Sequence, residues 1–86
     1  MFKFVLDKQA EKDLQKILKS PLKNQLYKIL DVMEKNPFAP PYEKLLGDFK
    51  GAYSRRINLQ HRLVYMVLEE EKTVKIISMW GHYDDN

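Results

Sequence analysis

The chain has 86 residues, 44% of them apolar and 12% aromatic, with a formal net charge of +3 and no cysteine. That describes one small domain over residues 1–86 with enough apolar side chain for a core, and it excludes a disordered chain, a disulfide framework and a thiolate metal site. Mild basicity suits a nucleic acid or an acidic protein partner, the lack of cysteine suits a reducing cytoplasm, and no apolar run nears the roughly 20 residues of a membrane span.

Phe2 to Leu6 alternates loosely and is aromatic and branched enough for a first strand; with Lys3 inside it, this start is no signal peptide. Asp7 is placed to cap a helix over residues 8–19, where Ala10, Leu14, Ile17 and Leu18 recur at helical spacing. Ser20-Pro21 is expected to end that helix and open a second, with Ser20 as cap and Pro21 in the first turn. Leu22, Leu26, Ile29, Leu30 and Met33 make its apolar stripe, and Lys23, Lys28 and Lys35 face water.

Asn36-Pro37-Phe38-Ala39-Pro40-Pro41 stops the second helix. A loop of about a dozen residues follows, carrying Glu43, Leu45, Leu46, Asp48 and Phe49, and loops of that length are commonly functional. Strands are predicted over 53–58, 61–68 and 73–80, joined by a tight turn at Leu59-Gln60 and an acidic turn at Glu69–Lys72. The order β-α-α-β-β-β implies an α+β fold, a two-helix hairpin packed on one face of a curved, mainly antiparallel sheet.

Arg55, Arg56, His61 and Arg62 fall on one predicted hairpin, and His82 follows the last strand. Strands carry that much positive charge most readily when an anion binds there, and histidine moves protons near neutral pH. RNA cleavage without a metal needs a base for the 2′-hydroxyl, cations for the phosphorane and an acid for the departing 5′-oxygen. Glu43, Arg56, Arg62 and His82 supply those types, and Tyr53, Tyr83 or Trp80 could stack a base. Other readings stay open. Arg55 and Arg56 also suit a solvated basic edge, His61 a turn hydrogen bond, His82 a surface histidine, Glu43 a loop charge, and Tyr65 and Trp80 packing. No metal-ligand spacing stands out.

Glu43-x-Leu45, Gly51-x-Tyr53-Ser54-Arg55-Arg56-Ile57, His61-Arg62-Leu63-Val64-Tyr65 and His82-Tyr83, in that order, resemble the YoeB/Txe branch of the RelE/ParE toxin superfamily. The match is dense over about residues 43–83 and architectural over the helices. The resemblance implies the fold of RelE, YoeB and the microbial RNases, and a toxin that cleaves messenger RNA in the ribosomal A site. It implies Glu43 as general base, Arg62 as the principal phosphate-stabilising arginine and His82 as general acid. Arg55 and Arg56 would lie at the phosphate, and Tyr53 and Tyr83 would shape the RNA site. No cofactor or metal is implied. The implied partners are a YefM/Phd-like antitoxin and, through the toxin–antitoxin complex, operator DNA; a homodimer is left open.

Two positions depart from the family pattern: Leu46 stands where a lysine is frequent, and Asp84-Asp85-Asn86 extends beyond the His-Tyr pair. Two other functions compete. One is a non-nuclease toxin of the same superfamily that acts on DNA gyrase by protein contact. The other is an RNA- or protein-binding module without catalysis.

Overall fold

The computed structural model describes residues 1–81, so the expectations placed on His82, Tyr83 and the acidic tail lie outside the described residues. Asp7 caps the first helix as expected: its Oδ1 accepts the Ala10 N–H at 2.9 Å, and its extended backbone turns strand β1 (Lys3–Leu6) into α1 (Lys8–Leu18). The second helix, α2 (Lys23–Lys35), starts later than the sequence suggests. Ser20 does not open it. Its hydroxyl donates to the Ile17 carbonyl at 2.8 Å and accepts the Leu22 N–H at 3.1 Å, so it closes the end of α1 and leaves Pro21 in the connecting turn.

Four further strands complete a sheet among the described residues: β2 (Glu43–Lys44), β3 (Tyr53–Arg56), β4 (Arg62–Leu68) and β5 (Thr73–Ser78). Their order is β1–β5–β4–β3–β2. The three pairings from β5 to β2 are antiparallel, whereas β1 runs parallel to β5 with Lys3 opposite Thr73 and Leu6 opposite Ile76. The long loop of the sequence reading is therefore broken by strand β2, and Glu43 gains a fixed place at the sheet edge.

Both helices lie on one face. Ala10, Ile17, Leu26 and Met33 pack there against Leu63, Tyr65, Val74 and Ile76, with the rest of the α2 stripe (Leu22, Ile29 and Leu30) around them. Because side chains alternate along a strand, this assigns Tyr53, Arg55, Leu63 and Tyr65 to the inner face. Glu43, Ser54, Arg56, Arg62 and Val64 take the outer one. A smaller apolar cluster of Leu45, Ala52 and Val64, flanked by Met66 and Ile77, seals the outer face beside them.

Candidate active site

The register of β3 against β4 places Arg56 directly opposite Arg62, and that of β2 against β3 places Glu43 opposite Ser54. Like charges facing each other across a ladder are destabilising, so this pair needs an anion between or beside it. Glu43 supplies one: its Oε1 accepts from Arg62 Nη1, which also donates to the buried Ser54 hydroxyl at 3.3 Å. The Arg62 guanidinium beside Glu43 holds the carboxyl below its ordinary value through that hydrogen bond and the charge attraction, with a smaller contribution from Arg56. At neutral pH the carboxylate is ionised.

Exposure separates the roles. The Glu43 side chain is 65% exposed and that of Arg62 22%, so the acid reaches into solvent while the guanidinium is braced by the sheet. Arg56 is exposed, and its guanidinium has no hydrogen-bond partner among the described residues. A depression of about 160 Å³ adjoins these groups, lined by Pro41, Tyr42, Glu43, Ser54, Arg55 and Arg56. Leu46, at the position where the family pattern frequently has a lysine, is 78% exposed beside Lys44 and Lys50 around a neighbouring hollow of about 300 Å³.

Two of the expected site residues, Arg55 and Tyr53, lie away from the Glu43–Arg62 contact. Arg55 lies on the inner face, 6% exposed, and its guanidinium is committed to the protein. Nε donates to Tyr65 Oη at 3.1 Å, Nη1 to the Pro41 carbonyl at 3.2 Å, and Nη2 to the carbonyls of Pro37, at 3.0 Å, and Ala39. A guanidinium carries five donors in a fixed fork and is well suited to gathering carbonyls, so Arg55 folds the proline-rich segment that delivers Glu43. Tyr65 completes the network by donating its hydroxyl to the Pro37 carbonyl at 3.0 Å, and burial pushes its phenol pKa up. Tyr53 is likewise on the side of the sheet away from Glu43 and Arg62. Its ring meets Phe38 and Tyr42 edge-on, with centroids 5.5 and 5.6 Å away. Neither side chain bonds to Glu43 or Arg62.

A feature absent from the sequence reading sits at the end of β5, which stops at Ser78 rather than reaching Trp80. Asp13, 1% exposed on α1, accepts the Met79 N–H at 2.9 Å and the Trp80 N–H at 3.3 Å through Oδ2, and Gln9 Nε2 at 2.9 Å through Oδ1. It draws those amides out of the ladder. An acidic residue three positions after Ala10 and four before Ile17, on the apolar stripe of α1, was the available signal. His61 takes the next amide: its Nδ1 accepts the Gly81 N–H at 2.7 Å, while the Arg62 N–H donates to the Gly81 carbonyl at 2.9 Å. Its ring also stacks on Trp80, 4.0 Å between centroids, with Lys16 Nζ 5.9 Å from the Trp80 ring centre.

A two-helix layer on one face and a carboxylate with two arginines on the other define a small α+β protein with a charged cluster on its open face. The same architecture occurs in solved bacterial toxins. The YoeB/ParE toxin from Agrobacterium tumefaciens shares 27% identity over 95% of this chain and 100% of its own, with a TM-score of 0.87. YoeB in the YoeB–YefM complex from Staphylococcus aureus shares 30% over 96% and 99%, with a TM-score of 0.80. The YoeB dimer from the same organism shares 30% over 95% and 98%, also at 0.80. A family model for the YoeB-like toxin of bacterial type II toxin–antitoxin systems matches residues 7–83, and the chain belongs to that family. No curated protein matches it by sequence.

Proposed function

We propose that residues 1–86 act as one endoribonuclease domain that cleaves messenger RNA in the ribosomal A site and so halts translation. The observation carrying this reading is the contact of Glu43 with Arg62 on the helix-free face, with Arg56 directly across the ladder. In the free protein Arg62 is held by Glu43. A scissile phosphate competes for the guanidinium, and as Arg62 turns to it the carboxylate loses its cationic partner and becomes a stronger base. Glu43 then takes the proton of the 2′-hydroxyl as that oxygen attacks phosphorus.

Arg62 and Arg56 hold the charge of the phosphorane. His82 gives its proton to the departing 5′-oxygen, leaving a 2′,3′-cyclic phosphate and a 5′-hydroxyl, and Tyr83 shapes the pocket beside it. The Gly81 carbonyl accepts the Arg62 N–H at 2.9 Å, so the described chain ends its last turn against the strand that carries Arg62. The reaction so written draws on side chains alone and asks for no cofactor or metal.

The Staphylococcus aureus relative forms a complex with YefM and a dimer. By the same reading this protein works in the cytoplasm and is silenced by a YefM-like antitoxin that covers the arginine face. With that antitoxin it contacts operator DNA, and it can pair with a second copy. Primer extension on translated messages tests the nuclease reading. The wild type should give cuts confined to codons in translating ribosomes, and Arg62→Ala and His82→Gln should lower the rate by about 10²-fold or more each. Intact messages with accumulating DNA breaks would instead favour the gyrase-directed alternative. Cleavage that survives both substitutions would remove these residues from the mechanism.

A further inference from the structure

We propose that the depression beside Glu43 is a nucleobase subsite, with the Tyr42 ring as its stacking surface and the Arg56 peptide as its hydrogen-bonding edge. The inference rests on the endoribonuclease reading and deepens it. The base it takes belongs to the nucleotide whose 2′-hydroxyl Glu43 deprotonates, because Glu43 itself lines the depression.

The hydrogen-bonding edge follows from the ladder. Along an antiparallel strand, successive residues direct their peptide groups to opposite neighbours. The Ile57 N–H donates to the His61 carbonyl at 2.8 Å, and the Ala52 carbonyl accepts the Leu45 N–H at 3.0 Å. Odd-numbered residues of β3 therefore bond to β4, and even-numbered ones face β2. Ser54 is opposite Glu43, and the same register carried two residues further sets Arg56 opposite Pro41. Proline has no N–H to give, and the Pro41 carbonyl already accepts from Arg55 Nη1 at 3.2 Å. The ladder with β2 ends there, and the Arg56 N–H and C=O have no partner among the described residues.

This opening spans a single residue. Ser54 bounds it on one side, paired with Glu43, and on the other the Asn58 N–H turns back to the His61 carbonyl at 3.3 Å. Such an edge is too short for a further strand to join. A lone donor beside a lone acceptor matches instead the edge of a base, where an acceptor ring nitrogen adjoins an amino group, as in adenine.

Tyr42 supplies the flat surface. It is half-buried at the rim of the depression, and its ring meets Phe38 and Tyr53 edge-on, with centroids 6.1 and 5.6 Å away. The Arg55 guanidinium lies 5.9 Å from its centre. A ring braced in this way loses little freedom when a base settles on it. At about 160 Å³ the depression is smaller than the roughly 300–1,000 Å³ that encloses a drug-sized ligand, so it suits one base and not a whole nucleotide.

Titration followed by NMR tests this with two probes, adenosine 3′-monophosphate and the base-free 1-deoxyribose 3-phosphate. The wild type should bind the nucleotide at least about five-fold more tightly, as one stacked base provides, with the Arg56 amide resonance moving for the nucleotide alone. In Tyr42→Ala the two probes should bind within about two-fold of each other, while the base-free probe keeps its wild-type affinity. Tyr42→Phe, which retains the ring, should behave as the wild type. The N6,N6-dimethyl form of the nucleotide has no amino hydrogen for the Arg56 carbonyl and should bind at least about two-fold more weakly than its parent.

Equal affinity of the wild type for both probes would overturn the inference, and so would a Tyr42→Ala protein that keeps the full preference. Should Tyr42→Ala fail to fold, a wild-type Arg56 amide unmoved by the nucleotide would overturn it equally. Cleavage separates it from the reading beneath. A translated message without the base at that nucleotide should be cut at least about ten-fold more slowly by the wild type, and equal rates would overturn the subsite. A wild type that prefers the nucleotide probe yet leaves every translated message intact overturns the endoribonuclease reading and not the subsite.

Discussion

Replacing Arg55 by alanine should unfold this protein more readily without removing a contact to RNA. The magnitude follows from its partners. Arg55 donates to the carbonyls of Pro37, Ala39 and Pro41 and to the Tyr65 hydroxyl. Hydrogen bonds from a charged group are worth about 1.5–3 kcal/mol each when broken in a buried place. The sum is smaller than four such bonds, because Tyr65 can still donate to Pro37 and the outer carbonyls can turn to water. A loss of about 2–4 kcal/mol is expected, out of the roughly 4–13 kcal/mol typical of a domain this size. That lowers Tm by at least about 8 °C.

Arg55→Lys should recover less than half of the loss, since one ammonium cannot span three carbonyls and a phenol. Thermal unfolding followed by circular dichroism gives the stability. RNA binding at a temperature where the variant stays folded gives the other quantity, and it should lie within about two-fold of the wild type once corrected for the folded fraction. An Arg55→Ala protein of unchanged Tm whose RNA affinity drops ten-fold would refute the reasoning and return Arg55 to the binding surface.

Arg56→Ala should do the opposite. It should weaken RNA binding, lower the slope of log affinity against log salt by about one, and leave stability unchanged or raised by a few tenths of a kcal/mol as repulsion from Arg62 is relieved. The Glu43–Arg62 pair sets a pH dependence. The folded carboxyl lies below its ordinary value, so the pairing contributes fully above the unfolded glutamate pKa and is lost as pH falls through the folded one. The stability gap between wild type and Glu43→Gln should therefore be at most about 1 kcal/mol near pH 7, because the acid is largely exposed, and should close in acid and in high salt. Unfolding curves at several pH values and two salt concentrations check this, and a gap that widens in acid would contradict the assigned direction.

Helical periodicity and turn chemistry made the two helices and the three later strands legible from the sequence. Residue chemistry offered Glu43 and Arg62 as candidates and resemblance gave them roles, but their contact was not legible, because it depends on β2, a two-residue strand too short to leave a pattern. Arg55 and Arg56 show the limit most clearly. They are the same residue at adjacent positions, and alternation sends one into the carbonyl cage and the other to the open face. Which goes where depends on the face the helices cover, a tertiary fact. The sequence Tyr53-x-Arg55-x-Ile57 did carry a trace of it, since an arginine between two apolar positions of one face is an arginine of the inner layer. Asp13 was hidden for the converse reason: a polar residue on an apolar stripe has meaning only when its distant partner, 66 residues on, is known.

The parallel pairing of β1 with β5 couples two strands that lie far apart along the described residues. While the protein is being synthesised, Lys3–Leu6 has no strand to lie against until Thr73–Ser78 has been made, so this pairing is among the late contacts of the sheet. Until that pairing closes, each newly made molecule carries a β5 with one open edge and a first strand with no ladder to join.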